Sequence, residues 1–85
     1  MSLENKVTEK DVKGFVKEVY VEKFQDKTTI VKAVLKNGFV LVEYSSCVDP
    51  KNFDMEIGKQ ICLERIENKV WELLGFKLQC DLLGN

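Results

Sequence analysis

Four oxygen-bearing side chains, Asp49, Asn52, Asp54 and Glu56, crowd into the stretch SSCVDPKNFDMEIGKQ at residues 45–60, beside Cys47. Three chemistries could use them. As hard ligands they could surround a divalent cation, but their spacing lacks the 1-3-5-12 order and central glycine of a calcium-binding loop. As carboxylates in a cleft, Asp49, Asp54 or Glu56 could act as general acid or base, which requires an open path for substrate and a raised pKa. As caps they could accept hydrogen bonds from bare amide groups where a helix begins, with no ligand involved. Capping accounts for every member. Asp49 suits a turn whose first position is Pro50, a residue with no N–H to leave orphaned. Asn52 or Asp54 suits the N-cap of a longer helix, and Asp54 and Glu56 complement its dipole.

Little else in the chain is suited to catalysis. There is no histidine, which removes the commonest general base, the usual partner of a Ser or Cys nucleophile and the commonest metal ligand. Cys47, Cys62 and Cys80 are widely spaced and odd in number, so they read as three reduced thiols rather than a zinc site or a disulfide framework. No glycine-rich phosphate loop or HExxH spacing occurs. No enzyme activity and no cofactor are expected. Thirteen basic residues against fourteen acidic ones leave a net charge of −1 with no lysine or arginine block, so the counterion-releasing excess of a nucleic-acid binder is missing. The apolar runs fall far short of the roughly 20 residues that span a bilayer, and MSLENKVTEK lacks an apolar signal core. The expectation is one cytoplasmic domain over residues 1–85. A core this small gains from self-association.

The elements that would hold these residues follow from punctuation and periodicity. Thr8 with Asp11 three residues later resembles a capping box, which predicts a short helix over 8–15, followed by a strand over 17–24 from the β-forming run around Val19-Tyr20-Val21. Asn37-Gly38 between two apolar runs predicts a hairpin over 28–46 with a two-residue type I′ turn. That turn pairs Leu35 with Val40, Ala33 with Val42 and Val31 with Tyr44 on an apolar core face. The other face then carries Lys36/Phe39, Val34/Leu41, Lys32/Glu43 and Ile30/Ser45. A long helix from Asn52 or Asp54 to about Leu74, stopped by Gly75 at C′, completes the chain. The predicted class is α+β: a short N-terminal helix, a three-stranded antiparallel β-meander, and a long C-terminal helix packed on the sheet.

That helix carries apolar residues twice. Met55, Cys62, Ile66, Val70 and Leu73, flanked by Leu63 and Leu74, form one broad side for the sheet. Ile57, Ile61 and Trp71 form a second stripe nearly opposite. Three readings of it stand open: cover by the N-terminal helix or the tail FKLQCDLL, an oligomer interface with tryptophan as anchor, or a ligand groove beside the sheet.

The blocks LKNGF at 35–39, CVDPKNFDMEIGKQI at 47–61 and KVWELLGF at 69–76 together resemble the gene-49/gene-66 family of small bacteriophage and prophage proteins. The likeness spans about residues 28–78. It implies phage origin and a shared fold, and it carries over no catalytic residue, because the family's function is unassigned.

The reading that results is a non-enzymatic phage or prophage accessory protein acting by protein–protein interaction as a homo-oligomer, with a host protein as target. Its interface residues are Ile57, Ile61 and Trp71, or the patch Val34, Phe39 and Leu41. The alternative is a binder that sequesters a nucleotide signal, with Lys32, Lys36 and Lys59 on phosphate and Tyr44 or Trp71 stacked on a base. That alternative needs the lysines to converge on one cavity.

Overall fold

The computed structural model describes residues 6–84. Helix α1 (Glu9–Phe15) opens with the capping box: Thr8 Oγ1 accepts from Asp11 N–H at 3.2 Å while Asp11 returns the favour to the Thr8 N–H at 3.0 Å. The chain leaves α1 directly into β1 (Val16–Phe24), and β2 (Thr28–Leu35) and β3 (Val40–Ser46) follow as an antiparallel meander in the order β1-β2-β3. A single 3-10 turn, Pro50–Asn52, leads into α2 (Met55–Leu83). This is the α+β architecture read from the sequence.

The hairpin differs from the expected one in a way that decides which residues face outward. Gly38 alone takes positive φ, at 89°, so the turn is not type I′. Gly38 N–H donates to Leu35 O at 2.9 Å and Leu35 N–H to Phe39 O at 2.8 Å. These bonds close a three-residue loop, a turn followed by a left-handed glycine. Asn37 Oδ1 accepts from Phe39 N–H at 3.0 Å, which holds the wider loop. The pairing therefore slips by one: Val34 opposes Val40, Ala33 opposes Leu41, Lys32 opposes Val42 and Ile30 opposes Tyr44. A slip of one turns every β3 side chain to the other face. Leu41 is consequently buried in the core, and Val40, Val42 and Tyr44 point away from it.

The core forms where α2 crosses β2 and β3. Val31, Ala33 and Leu35 from β2 and Leu41 from β3 meet Cys62, Ile66, Val70 and Leu74, with Val12 of α1 closing one end. On the β3 side α2 is tied down by polar contacts. Arg65 Nη1 donates to Tyr44 O at 2.8 Å, and Lys69 pairs with the half-buried Glu43. Glu43 can thus occupy the helix-facing side of β3 that hydropathy alone would give to Val42.

Helix α2 does not stop at Gly75. It continues through FKLQCDLL to Leu83, where Gly84 at φ 74° supplies the left-handed cap and donates its N–H to Cys80 O. A single interior glycine costs a helix only about 1 kcal/mol, which the good helix formers after it outweigh. The tail therefore extends α2 instead of covering its second stripe, and the molecule measures 51 × 19 × 18 Å.

Candidate functional site

Two places emerge from this geometry, the seat of α2 and the open face of the sheet. At the seat, Asp49 and Asp54 meet backbone, and Glu56 lies in the first turn of α2. Asp49 Oδ1 accepts from Lys51 N–H at 3.0 Å, and Asp54 Oδ1 accepts from the N–H of Glu56 at 2.9 Å and of Ile57 at 3.4 Å. The main N-cap is thus Asp54, not Asn52. Among the described residues, no group of three or more His, Cys, Asp or Glu side chains is placed to hold a metal. Replacing Asp54 with alanine strands two amide donors and is expected to cost about 1 kcal/mol. A thermal melt that reads this loss, and that divalent cations leave unchanged in the parent protein, is the expected result.

Beneath these caps lies a cavity of about 160 Å³ between the start of β2, the end of β3 and the first turns of α2, floored by Thr29 and Gly58 and walled by Ser45, Cys47 and Phe53. Thr29 is buried and its hydroxyl has no hydrogen-bond partner among the described residues. The hydroxyl is pressed against Gly58, where it fixes how closely the helix sits on the sheet. Cys62, fully buried nearby, packs in the core, and burial pushes its thiol up, with the Arg65 charge partly opposing.

The open face is a different kind of surface. Its middle row along β2 carries Ile30, Lys32 and Val34; its β3 row carries Val40, Val42 and Tyr44; its β1 row carries Glu18, Tyr20, Glu22 and Phe24. Among the described residues, no element covers it. Tyr44 is 65% exposed, Phe24 56% and Val42 55%. Lys32 Nζ lies 5.9 Å from the Tyr20 ring centre, and the Tyr20 hydroxyl donates to the Glu18 carboxylate. That bond and the neighbouring charge hold the phenol above its ordinary value. The face is therefore apolar along β3, with its charges gathered toward β1.

The sequence-derived residues are distributed unevenly over these places. Val34 lies at the centre of the open face, Phe39 sits exposed in the hairpin loop, and Leu41 is in the core, so the three do not form one patch. Ile57 and Trp71 are exposed and Ile61 half-buried; Ile57 and Ile61 line the Thr29 cavity beside the sheet, whereas Trp71 lies ten residues further along α2. Lys32 and Tyr44 share the open face, whereas Lys59 adjoins Gly58 near the start of β2 and Lys36 follows its end, roughly 20 Å away at about 3.3 Å per residue. Those lysines do not converge. Val40 and Val42 are what the type I′ assumption hid, and Tyr20 and Phe24 join them from β1; the Asn37 side chain, which can bond to a backbone amide two residues on, suits the wider loop as well.

The caps, the Gly58 seat and the hairpin loop coincide with the blocks LKNGF and CVDPKNFDMEIG. A family model described as Phage protein (N4 Gp49/phage Sf6 gene 66) matches residues 7–82. The chain belongs to that family. This Gp49/gene 66 family member contains no helix, among its described residues, long and apolar enough to cross a membrane. Neither a curated protein nor a solved structure matches it.

Proposed function

We propose that this phage protein is a non-enzymatic accessory factor that acts in the host cytoplasm as a homo-oligomer and binds a host protein through the open face of its sheet. The observation that carries the proposal is the apolar β3 row with its aromatic neighbours, left bare by the fold. Three aromatic rings, each more than half exposed, present on the order of 100 Å² apiece, and with the valines the patch approaches the upper end of the roughly 300–600 Å² seen on ordinary monomers. Antiparallel sheets that face water on one side alternate apolar-in and polar-out; β3 is apolar on its outer side instead.

The charges say what kind of partner fits. Glu18 and Glu22 line the β1 side and Lys32 is already engaged with Tyr20, so the complementary surface is apolar at its centre and basic along one rim. Reading the protein as a binder also agrees with a sequence that has no histidine and with carboxylates whose oxygens serve as caps.

Val42→Lys places a charge in the middle of the patch without touching the core. It is expected to weaken capture of the host partner at least tenfold, as loss of an interface anchor usually does, while leaving the melting curve in place. Ile57→Lys, beside the Thr29 cavity at the start of α2, is expected to leave capture unchanged. Affinity capture from host lysate with quantitative readout compares the three proteins directly; equal capture by the Val42→Lys variant would remove the open face from the account.

A further inference from the structure

Past Leu74 no residue of α2 is buried, yet the helix runs on to Leu83, roughly 13 Å further at 1.5 Å per residue. A helix end surrounded by water should be polar on every side. Here Leu73, Phe76, Cys80 and Leu83 recur at steps of three, four and three, the spacing of an a/d seam on one face. Leu73 is 40% exposed, Phe76 59% and Leu83 66%.

The arrangement of this seam identifies its occupant. It is symmetric about position 78, with Leu73 and Leu83 equally far from it and Phe76 and Cys80 equally near. A two-fold contact needs one patch to complement itself. In an antiparallel mate, Leu73 meets Leu83 of the second copy and Phe76 meets Cys80. The flanks permit this: Lys77 is paired with Asp81 at 2.8 Å within its own helix and Gln79 is uncharged, so identical flanks approach without net repulsion. Beside Leu73, an apolar notch of about 250 Å³ lined by Phe15, Leu35, Phe39 and Leu74 opens where the incoming leucine arrives. A parallel mate is disfavoured, because Leu73 and Lys77 line that notch together with Asn37 and Phe39, and two hairpins would then meet on the same side.

We propose that two copies of this chain associate through the last three turns of α2, packed antiparallel, with Leu83 of each copy seated in the notch of the other. The proposal rests on the homo-oligomer reading above and supplies its contact. A seam this short falls at the low end of specific interface sizes, so the dimer forms over a micromolar concentration range.

Light scattering on size-exclusion fractions, from low to high micromolar, tests it on the full chain. The parent protein is expected to rise to twice its monomer mass. Phe76→Glu and, separately, Leu83→Glu are expected to stay monomeric at every concentration with unchanged circular dichroism, since both positions are exposed, whereas Val42→Lys dimerises as the parent does. A parent protein that is monomeric throughout overturns this inference and the oligomer reading together. A dimer that both helix variants retain overturns this inference alone. In a Cys47→Ser background, rapid diamide-driven linkage of Cys80 to its own copy would place identical positions opposite each other and overturn the antiparallel register; slow or absent linkage supports it.

Discussion

Truncation of Ile66 to alanine is expected to cost about 2–5 kcal/mol of folding stability. Ile66 is 1% exposed and sits where α2 crosses the two strands it covers, among Val31, Ala33, Cys62 and Val70. A chain of 85 residues has roughly 4–13 kcal/mol to lose in total, so the variant is expected to be partly unfolded at ambient temperature or to melt at least about 8 °C lower. The comparison that gives this meaning is Ile57→Ala on the same helix. Ile57 is 57% exposed, and its truncation is expected to stay within about 0.5 kcal/mol of the parent. Urea unfolding of the two variants measures the difference; equal losses would mean that α2 is rotated from the orientation described.

Gly58→Ala is expected to destabilise by up to about 2 kcal/mol net, against the usual direction for a helical glycine. Alanine gains roughly 1 kcal/mol over glycine in a helix interior. At this position, however, an added methyl would lie 2.8 Å from Thr29 Cβ and closer still to the hydroxyl. Thr29 is rooted in β2 and cannot swing away, so helix and sheet must part, and overpacking of this kind costs about 1–3 kcal/mol. Thr29→Ala in the same chain removes the hydroxyl and one methyl but leaves the Cβ, and so restores only part of the loss. Gly75→Ala is the control: nothing lies within 4 Å of the added methyl, and the helix should gain up to about 1 kcal/mol. Denaturant midpoints for the set test the claim, and a stabilised Gly58→Ala variant would contradict it.

These two sites show how far the sequence could be read. Element types followed from local chemistry: the Thr8/Asp11 box, Asp49-Pro50, Asp54 and the apolar side containing Cys62, Ile66 and Val70 act within a few residues of themselves. Two long-range facts did not follow. The face of β3 depends on whether the loop holds two residues or three, and Asn37-Gly38 is compatible with both; Val40, Leu41 and Val42 are all apolar, so hydropathy could not arbitrate. Glu43 could have done so only if its partner Lys69 on α2 had been foreseen. The end of α2 was misplaced because Gly75 imitates a C-cap, while the true cap, Gly84, lies beyond an apolar segment with no sheet to meet. What approaches Gly58 is a buried hydroxyl on a distant strand, which no local pattern announces.

The acidic cluster that opens the question of function is therefore part of the machinery that seats a helix. Asp49, Asp54 and the contact of Gly58 with Thr29 together fix the approach of α2 to the sheet.

Site-specific photocrosslinking in host cells tests the proposed binding face most directly. With a photoreactive phenylalanine analogue at Val42, irradiation is expected to yield a discrete adduct with one host protein, and the same group at Ile57 is expected to yield none. Adducts from position 57 with none from position 42 would place the binding surface beside the Thr29 cavity at the start of α2 and contradict the account.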